Sequence, residues 1–553
     1  MKKDLIITNM KSFIPLLCFF LIFLTENSFG QPTSPHPIIP VKSNSSFLFG
    51  NDVVLNNVQS ENQRQIAIAS AFNGWLYASY TYINEIQNKA AMEVLKSTDN
   101  GLTWVVLWND FFPFLDSSEF KSADIIVTGD SISNLKIFIA FVVGYQSSDV
   151  GFSDVNRYNG ITGALESVMF QHEGCKKIAL AHDFNSPAAN SNPYSIGVIY
   201  SKQTPQAKDS IIFYSSSNGG NFFDTRVDIA SSQNYFNNVS LTYGKSASFP
   251  SGRYYAAWDE KADLNSKIGH VYTAHSEPNF NSPFTSPVML DNLDPNILNS
   301  VRRPAIACQY NNINNDSSNI TEVVICEKYS ASESRYDIQG FYNLNSTSSN
   351  LFQTFSINSS AHQQQQPSIA FNTFDSTFMV TFYDSTNQKL PFLINDYNLL
   401  NPNSWQVLSS GYNDNNNLAA PFPKVGLNVN QKEGMAVWSS EGIGGNGIAL
   451  FDAPYLPTGI IGFNREYEHN GLVVYPNPCS SILNIMFKSN GSERIRITIS
   501  DLVGRTIDVI TDQLYSNGGY VIQKNVTNFS SGNYILSFEN TKGVTSRKVI
   551  VLK

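Results

Sequence analysis

The chain has 553 residues, of which 42% are hydrophobic, 13% aromatic and only 15% charged, and its formal net charge is −9. That length allows two or three domains with a large buried core, and the scarcity of charge with 26 Tyr and 38 Phe favours short strands over long helices. The acidic balance excludes general nucleic-acid binding, which needs a clustered basic surface, and leaves neutral polysaccharides and cationic partners open.

At the start of the chain, Lys2, Lys3 and Lys11 precede an apolar run from Phe13 to Leu24. Ser28-Phe29-Gly30 then offers a small-x-small cleavage site before Gln31. This order predicts a secretory signal peptide over residues 1–30, followed by a linker over 31–50. The run is shorter than the about 18 residues a membrane span requires, and no other segment is apolar enough to serve as one. Cleavage removes Cys18 and leaves Cys175, Cys308, Cys326 and Cys479, with no C-x-x-C pair for zinc. Cys308 and Cys326 fall in consecutive apolar strands, so a cross-strand disulfide and two buried thiols both fit.

From residue 51 to 453 a signature recurs: a polar or basic pair, then alternating small and branched apolar residues. It reads Arg64-Gln65-Ile66-Ala67, Lys176-Lys177-Ile178-Ala179, Arg302-Arg303-Pro304-Ala305 and Gln365-Gln366-Pro367-Ser368, with weaker copies near Lys121, Asn237 and Pro421. The starts lie about 55 to 65 residues apart, a period suited to propeller blades with long loops. Each start is followed by an aromatic-rich second strand, such as Trp75 to Tyr82 or Tyr254 to Asp259, then a third and a short apolar fourth. The last repeat, Pro421 to Ala453, lacks a fourth strand, and Asp52-Val53-Val54-Leu55 has the pattern of the missing one. The expected fold is therefore an all-β propeller of about seven blades, with six or eight as alternatives, closed by an N-terminal strand that leaves no open sheet edge.

Between the third and fourth strands of the first repeat lies Ser97-Thr98-Asp99-Asn100-Gly101-Leu102-Thr103-Trp104. It resembles the Asp-box (BNR) turn of sialidase-like propellers, with Ser97, Asp99, Gly101, Thr103 and Trp104 at the fixed positions. Ser216 to Phe223 is a degenerate copy in the corresponding place of the third repeat. An Asp or Asn bonds its own turn, Gly takes positive φ and an aromatic plugs between strands, so the motif speaks for the fold and implies no catalysis.

Residues 454–470 read as a linker, and residues 471–553 as a small β-sandwich with Gly turns. This segment carries Tyr475-Pro476-Asn477-Pro478, then Asp501-Leu502-Val503-Gly504-Arg505, then Gly532-Asn533-Tyr534, and closes with Lys548-Val549-Ile550-Val551-Leu552-Lys553. It resembles the type A sorting domain of the type IX secretion system. That resemblance implies a Bacteroidota-type cell, export to the periplasm, outer-membrane translocation by the type IX machinery, and release or attachment at the cell surface.

Ligands of sialidase-like propellers bind on the face where the blades open. The residues expected there are Arg64, Lys176 and Arg302 from blade openings, with Trp258, Asp259, Glu327, Asp384 and Trp438 from the ends of second strands. They would form a polar cup with aromatic platforms, suited to a sugar or a peptide. Sialidase chemistry would need three arginines around a carboxylate, an acid/base Asp and a Tyr–Glu pair. Arg302-Arg303-Pro304 resembles part of the F-R-I-P motif of that family and Arg64 shares its register, but no third opening arginine is present, and Glu85 is the only carboxylate in the loop between the second and third strands of the first repeat. The Asn-rich stretches at 311–319 and 413–417 lack the spaced acidic pattern of a calcium loop, and no cofactor or metal is expected. Three functions stay open: non-catalytic binding of a glycan or surface protein, which the sequence favours; a sialidase-like exo-glycoside hydrolase; and a structural surface component.

Overall fold

The computed structural model describes most of residues 52–453 and 472–551. The segments 1–51, 454–471 and 476–478 lie outside the described residues, as do several loops, so the signal peptide, both linkers, Pro476-Asn477-Pro478, Glu85 and Glu441 do too. The chain divides into two compact units, Met1–Pro454 and Tyr455–Lys553. Among the described residues the helical elements are two single 3₁₀ turns, and no helix is long and apolar enough to cross a membrane.

The first unit is built of antiparallel sheets. Strand β1 (Val53–Val54) belongs with the last of them. Strands β2 (Arg64–Ser70), β3 (Leu76–Asn84), β4 (Lys89–Ser97) and β5 (Val105–Phe111) form one sheet in that order. A seven-stranded sheet follows, from β6 (Ser118–Thr128), β7 (Lys136–Tyr145), β8 (Gly151–Asn159), β9 (Leu165–His182), β10 (Ile196–Gln203), β11 (Asp209–Ser216) and β12 (Thr225–Ser232). Its centre, β9, runs for 18 residues; it pairs with β8 through its first part and with β10 through its second. Three further four-stranded sheets come in chain order. They are β13 (Tyr235–Ser246), β14 (Phe249–Lys261), β15 (His270–His275) and β16 (Val288–Met289); β17 (Val301–Cys308), β18 (Glu322–Ser330), β19 (Arg335–Asn343) and β20 (Gln353–Ile357); and β21 (Gln364–Asn372), β22 (Thr377–Asp384), β23 (Phe392–Asp396) and β24 (Gln406–Ser409). The last sheet joins β25 (Lys424–Asn428), β26 (Glu433–Ser440) and β27 (Ile448–Asp452) to β1, with Val53 opposite Phe451 and Val54 opposite Leu450.

The opening strands of successive sheets pack side by side: β2 on β6, β6 on β9, β9 on β13, β13 on β17, β17 on β21, β21 on β25, and β25 on β2. Small residues such as Ala67, Ala179 and Ala307 sit where these strands crowd together, while large side chains fill the wider gaps between sheets. Serines clasp neighbours: Ser122 Oγ accepts from Ile178 N–H at 3.3 Å, Ser240 Oγ from Ile306 N–H at 3.2 Å and Ser368 Oγ from Val425 N–H at 3.0 Å. Gln63, fully buried, ties the start of β2 to the last sheet, accepting from Ala449 N–H at 2.6 Å and Ser439 Oγ at 2.7 Å.

The turn at Ser97–Trp104 folds around its own side chains. Ser97 Oγ donates to Asp99 Oδ1 (2.8 Å) and accepts from Gly101 N–H (2.8 Å), while Asp99 accepts from Thr103 N–H (2.9 Å) and Thr103 Oγ1 (2.5 Å). Trp104 donates from Nε1 to Gly101 O and meets the ring of Phe451 edge-on at 5.3 Å. The turn at Ser216 repeats the first half of this pattern, with Asn218 in the place of Asp99 and Gly220 N–H donating to Ser216 Oγ at 2.9 Å.

Cys308 and Cys326 are free, buried thiols. Cys308 stands opposite Glu322, and Cys326 is four residues further along the same strand, about 13 Å away at strand rise. A disulfide needs Cα atoms within about 7 Å, so the cross-strand bond does not form.

The second unit is a sandwich of two sheets. One holds β28 (Val473–Tyr475), β29 (Ile482–Ser489) and a later strand β32 (Gly518–Asn525); the other has the order β31 (Thr506–Tyr515), β30 (Glu493–Ser500), β33 (Gly532–Asn540), β34 (Gly543–Val551). Alternation in β29 and β30 sends Leu483, Ile485, Phe487, Ile495, Ile497 and Ile499 into one core. Asp501 turns the chain by accepting from Arg505 N–H (2.9 Å) and pairing with its Nε (3.1 Å), while Gly504 takes φ +84°. Tyr534 donates to Ser530 O at 2.9 Å. Gly532 has open space where a Cβ would stand and no positive φ, so Gly532→Ala is expected to leave the thermal midpoint within about 1 °C of wild type.

Candidate functional site

The starts of the sheets' opening strands are marked by β-bulges. The pairing slips between Arg64 and Ala67, Phe120 and Ser122, Arg302 and Ala305, and Gln365 and Ser368, and between Ser201 and Lys202 opposite Lys176. At three of these bulges, and at Phe422 just before β25, a non-glycine residue holds positive φ: Gln65 (47°), Arg303 (52°), Gln366 (55°) and Phe422 (45°). Three of these precede a proline, Pro304, Pro367 or Pro423, which has no N–H to give the ladder and is tolerated at a bulge. Each such backbone costs on the order of 1–3 kcal/mol, and strain of this kind concentrates at binding sites.

Two carboxylates anchor the bulges, and both are fully buried. Asp259 accepts from Asn238 N–H (2.7 Å), Asn238 Nδ2 (2.8 Å) and Arg303 N–H (2.9 Å). Glu327 accepts from Arg302 Nε (2.6 Å), Arg303 Nη1 (3.1 Å) and Gln366 N–H (2.8 Å). Each acid thus holds the opening of the following sheet as well as its own. Gln366 Oε1 passes the link on to Phe422 N–H at 2.8 Å.

Around these anchors stand cations. Arg302 is held against Glu327 and over the ring of Tyr336 at 4.0 Å. Arg303 keeps 35% of its side chain exposed and lies 5.9 Å from the ring of Phe422, itself 43% exposed. Lys121 pairs with Glu119 at 2.5 Å, and Lys177 donates to Lys121 O at 2.5 Å. Burial pushes the Lys177 ammonium down to about 8; the charges of Arg303 and Lys121 add to this, and Asp259 and Glu119 oppose it. Lys261 is lowered too, by burial.

The expected site residues divide. Arg302, Asp259 and Glu327 come together as described. Arg64 is exposed at its own bulge and, among the described contacts, meets neither Arg302 nor the two acids. Lys176 is not open to a ligand: it is buried between sheets, paired with Asp209 and 4.9 Å from the ring of Tyr235. Trp258 and Trp438 are not platforms either. Both are core residues, Trp258 stacked on Tyr272 at 5.9 Å and Trp438 packed near Tyr412. Asp384 is spent on a turn, bonding His362 Nδ1 (3.0 Å), Asn387 Nδ2 (2.9 Å) and the N–H groups of Thr386 and Asn387. Lys177, Arg303, Gln366 and Phe422 were not singled out from sequence, although the X-Pro pairs where the opening strands begin signal three of them.

Residues 473–552 match the family described as the secretion system C-terminal sorting domain. The chain therefore carries the sorting signal of the type IX machinery, which directs export to the outer cell surface or secretion. No curated protein matches the chain. Among solved structures, it is similar to a protein of unknown function from Dyadobacter fermentans (10% identity, TM-score 0.40, covering 76% of this chain and 100% of that one). It is also similar to an α-L-arabinofuranosidase from Fusarium graminearum (11% identity, TM-score 0.40, 77% and 98%) and to a Hadza microbial sialidase (9% identity, TM-score 0.36, 60% and 66%). Likenesses at this level assign no residue and no substrate.

Proposed function

We propose that the chain is an exported seven-bladed propeller that binds an extracellular saccharide at its blade-opening face without turning it over. Counting β9 as the last strand of one blade and the first of the next gives seven four-stranded units, and the packing of β25 on β2 supports a ring completed by β1. Residues 1–30 serve as the signal peptide, 31–50 and 454–470 as linkers, and the turns at Ser97 and Ser216 as Asp-boxes.

The observation that carries the binding reading is the state of Asp259 and Glu327. Glycosidases use a pair of carboxyl groups that reach the scissile bond. Here Asp259 and Glu327 are fully buried with three donors on each, and Glu119, about one third exposed, is paired with Lys121. What stays at least partly exposed is Arg303, Phe422 and the half-buried Lys177, groups that can hold a sugar. The hydrolase reading keeps one support, the two adjacent arginines on Glu327.

The test is a glycan array beside a panel of chromogenic glycosides, both with the full mature chain. Binding without turnover is expected, weakened at least tenfold in Phe422→Ala at an unchanged thermal midpoint. Turnover that disappears in Arg302→Ala would overturn the non-catalytic reading. Silence on both panels would overturn the saccharide reading and favour a protein partner or a structural part.

A further inference from the structure

An asparagine followed by glycine is prone to lose its side-chain amide, because a glycine nitrogen approaches the asparagine Cγ with no Cβ in the way. Four such pairs lie wholly among the described residues: Asn73-Gly74, Asn100-Gly101, Asn159-Gly160 and Asn218-Gly219. In three of them the nucleophile is withheld. Gly74 N–H donates to Ala71 O at 3.0 Å, Gly101 N–H to Ser97 Oγ at 2.8 Å and Gly160 N–H to Leu135 O at 2.9 Å, and all three glycines are buried. Gly219 differs on both counts: it is half-buried, and its N–H has no acceptor among the described residues.

The electrophile at this turn is prepared as well. Asn218 Oδ1 accepts from Ser216 Oγ (2.7 Å), Asn221 N–H (3.0 Å) and Phe222 N–H (3.2 Å), and the two backbone donors fix which end of the amide is oxygen. Donors so placed polarise the carbonyl and stabilise the negative charge that gathers on Oδ1 when Cγ is attacked. Arg157 Nη1, on Gly220 O at 3.1 Å and Asn221 Oδ1 at 2.8 Å, adds a positive charge beside the turn. Donors alone do not set Asn218 apart. Asn159 Oδ1 also accepts two N–H groups, from Ile161 and Thr162, but its glycine is tied down. We infer that Asn218 is a self-deamidation site, in which a free Gly219 nitrogen faces a carbonyl that the turn has activated. The Gly219 nitrogen gives its proton to hydroxide and bonds to Asn218 Cγ. The Cγ–Nδ2 bond then breaks, and ammonia leaves with a proton drawn from water, which restores the hydroxide. Water opens the resulting five-membered imide at either carbonyl, giving aspartate or isoaspartate. An aspartate product takes the place that Asp99 holds in the turn at Ser97–Trp104, whose carboxylate likewise accepts from a serine hydroxyl and a backbone N–H. Each event adds one negative charge to an exported chain, whatever ligand that chain binds.

The test holds the full mature chain in mildly alkaline buffer, once folded and once in denaturant, and follows conversion of amide to acid at the four asparagines by peptide mass mapping. In the folded chain Asn218 is expected to convert at least tenfold faster than Asn73, Asn100 and Asn159, while in denaturant the four rates converge. The folded-state rate at Asn218 should rise with pH, as a reaction that begins by removing the Gly219 proton requires. Asn218→Asp should unfold at a thermal midpoint no lower than that of the freshly made wild type, because its carboxylate meets the same donors with a full charge. A folded-state rate at Asn218 less than tenfold above each of the others overturns the inference, since the donors would then lock the amide rather than activate it. The same preference persisting in denaturant also overturns it, because flanking sequence and not the turn would decide. A rate indifferent to pH overturns the attack by Gly219, and a lowered midpoint for Asn218→Asp overturns the place of the aspartate in the turn.

Discussion

Gly101→Ala is expected to destabilise the first unit by about 3 kcal/mol or more, among the largest effects of any single methyl group in this chain. Two independent costs combine. Gly101 holds φ +90°, which an alanine adopts only with strain, and a Cβ there would fall into the ring of Phe451, far closer than the 3.0 Å that Cβ contacts respect. Neither can relax easily. Phe451 lies in β27, paired to β1 and locked edge-on against Trp104, while Gly101 N–H and O are bonded to Ser97 Oγ and Trp104 Nε1. The clash therefore falls on the seam between the sheet of β2–β5 and the sheet that β1 completes. Urea unfolding should show a lowered midpoint, and limited proteolysis should show earlier cleavage near β1. Gly220→Ala, whose Cβ would meet Phe138 in the same way, should behave alike. A cost below about 1 kcal/mol for Gly101→Ala would mean that the turn is free to move away from the seam.

The same turn shows what was legible in the sequence. Ser97, Asp99 and Gly101 announce their geometry because a turn is written locally: the Ser97 and Asp99 side chains each bond an N–H four residues on, and Gly101 supplies the positive φ. The strands were legible for a similar reason, since alternation and aromatic content are properties of one segment at a time. The pairing of β1 with β27 could be anticipated because the last repeat is short by one strand. The site was harder. The basic pairs Arg302-Arg303 and Lys176-Lys177 were visible, but a bulge decides which member faces the mouth, and a shift of one residue exchanges the two sides of a strand. The first of each pair proves to be the less exposed one: Arg302 lies on Glu327 and Tyr336, and Lys176 on Asp209. The tryptophans misled for a related reason. Trp258 and Trp438 stand near the ends of second strands, where exposure is expected, yet neighbouring sheets close over them. No local pattern records how closely two sheets approach.

Glu327→Ala is the second large effect expected, about 3–5 kcal/mol, because it leaves behind groups that were buried only in its company. Arg302 would lose the acceptor of its Nε while still held under Tyr336, and Arg303 would lose the partner of its Nη1. Gln366 N–H, buried at a positive-φ bulge, would lose its acceptor as well. The damage should therefore cross from the sheet of β17–β20 into that of β21–β24, and through Gln366 Oε1 to the backbone of Phe422. Glu327→Gln separates the two roles of the side chain. Its amide oxygen can still accept from Gln366 N–H, so the bulge should survive, while the charge balance of the two arginines is lost. The expected order of unfolding midpoints is wild type, then Glu327→Gln, then Glu327→Ala. If Glu327 were instead an acid serving catalysis, Glu327→Gln would abolish turnover at an unchanged midpoint. A stability loss that spreads to both sheets, read by hydrogen exchange at β17 and β21, is what an anchoring carboxylate requires.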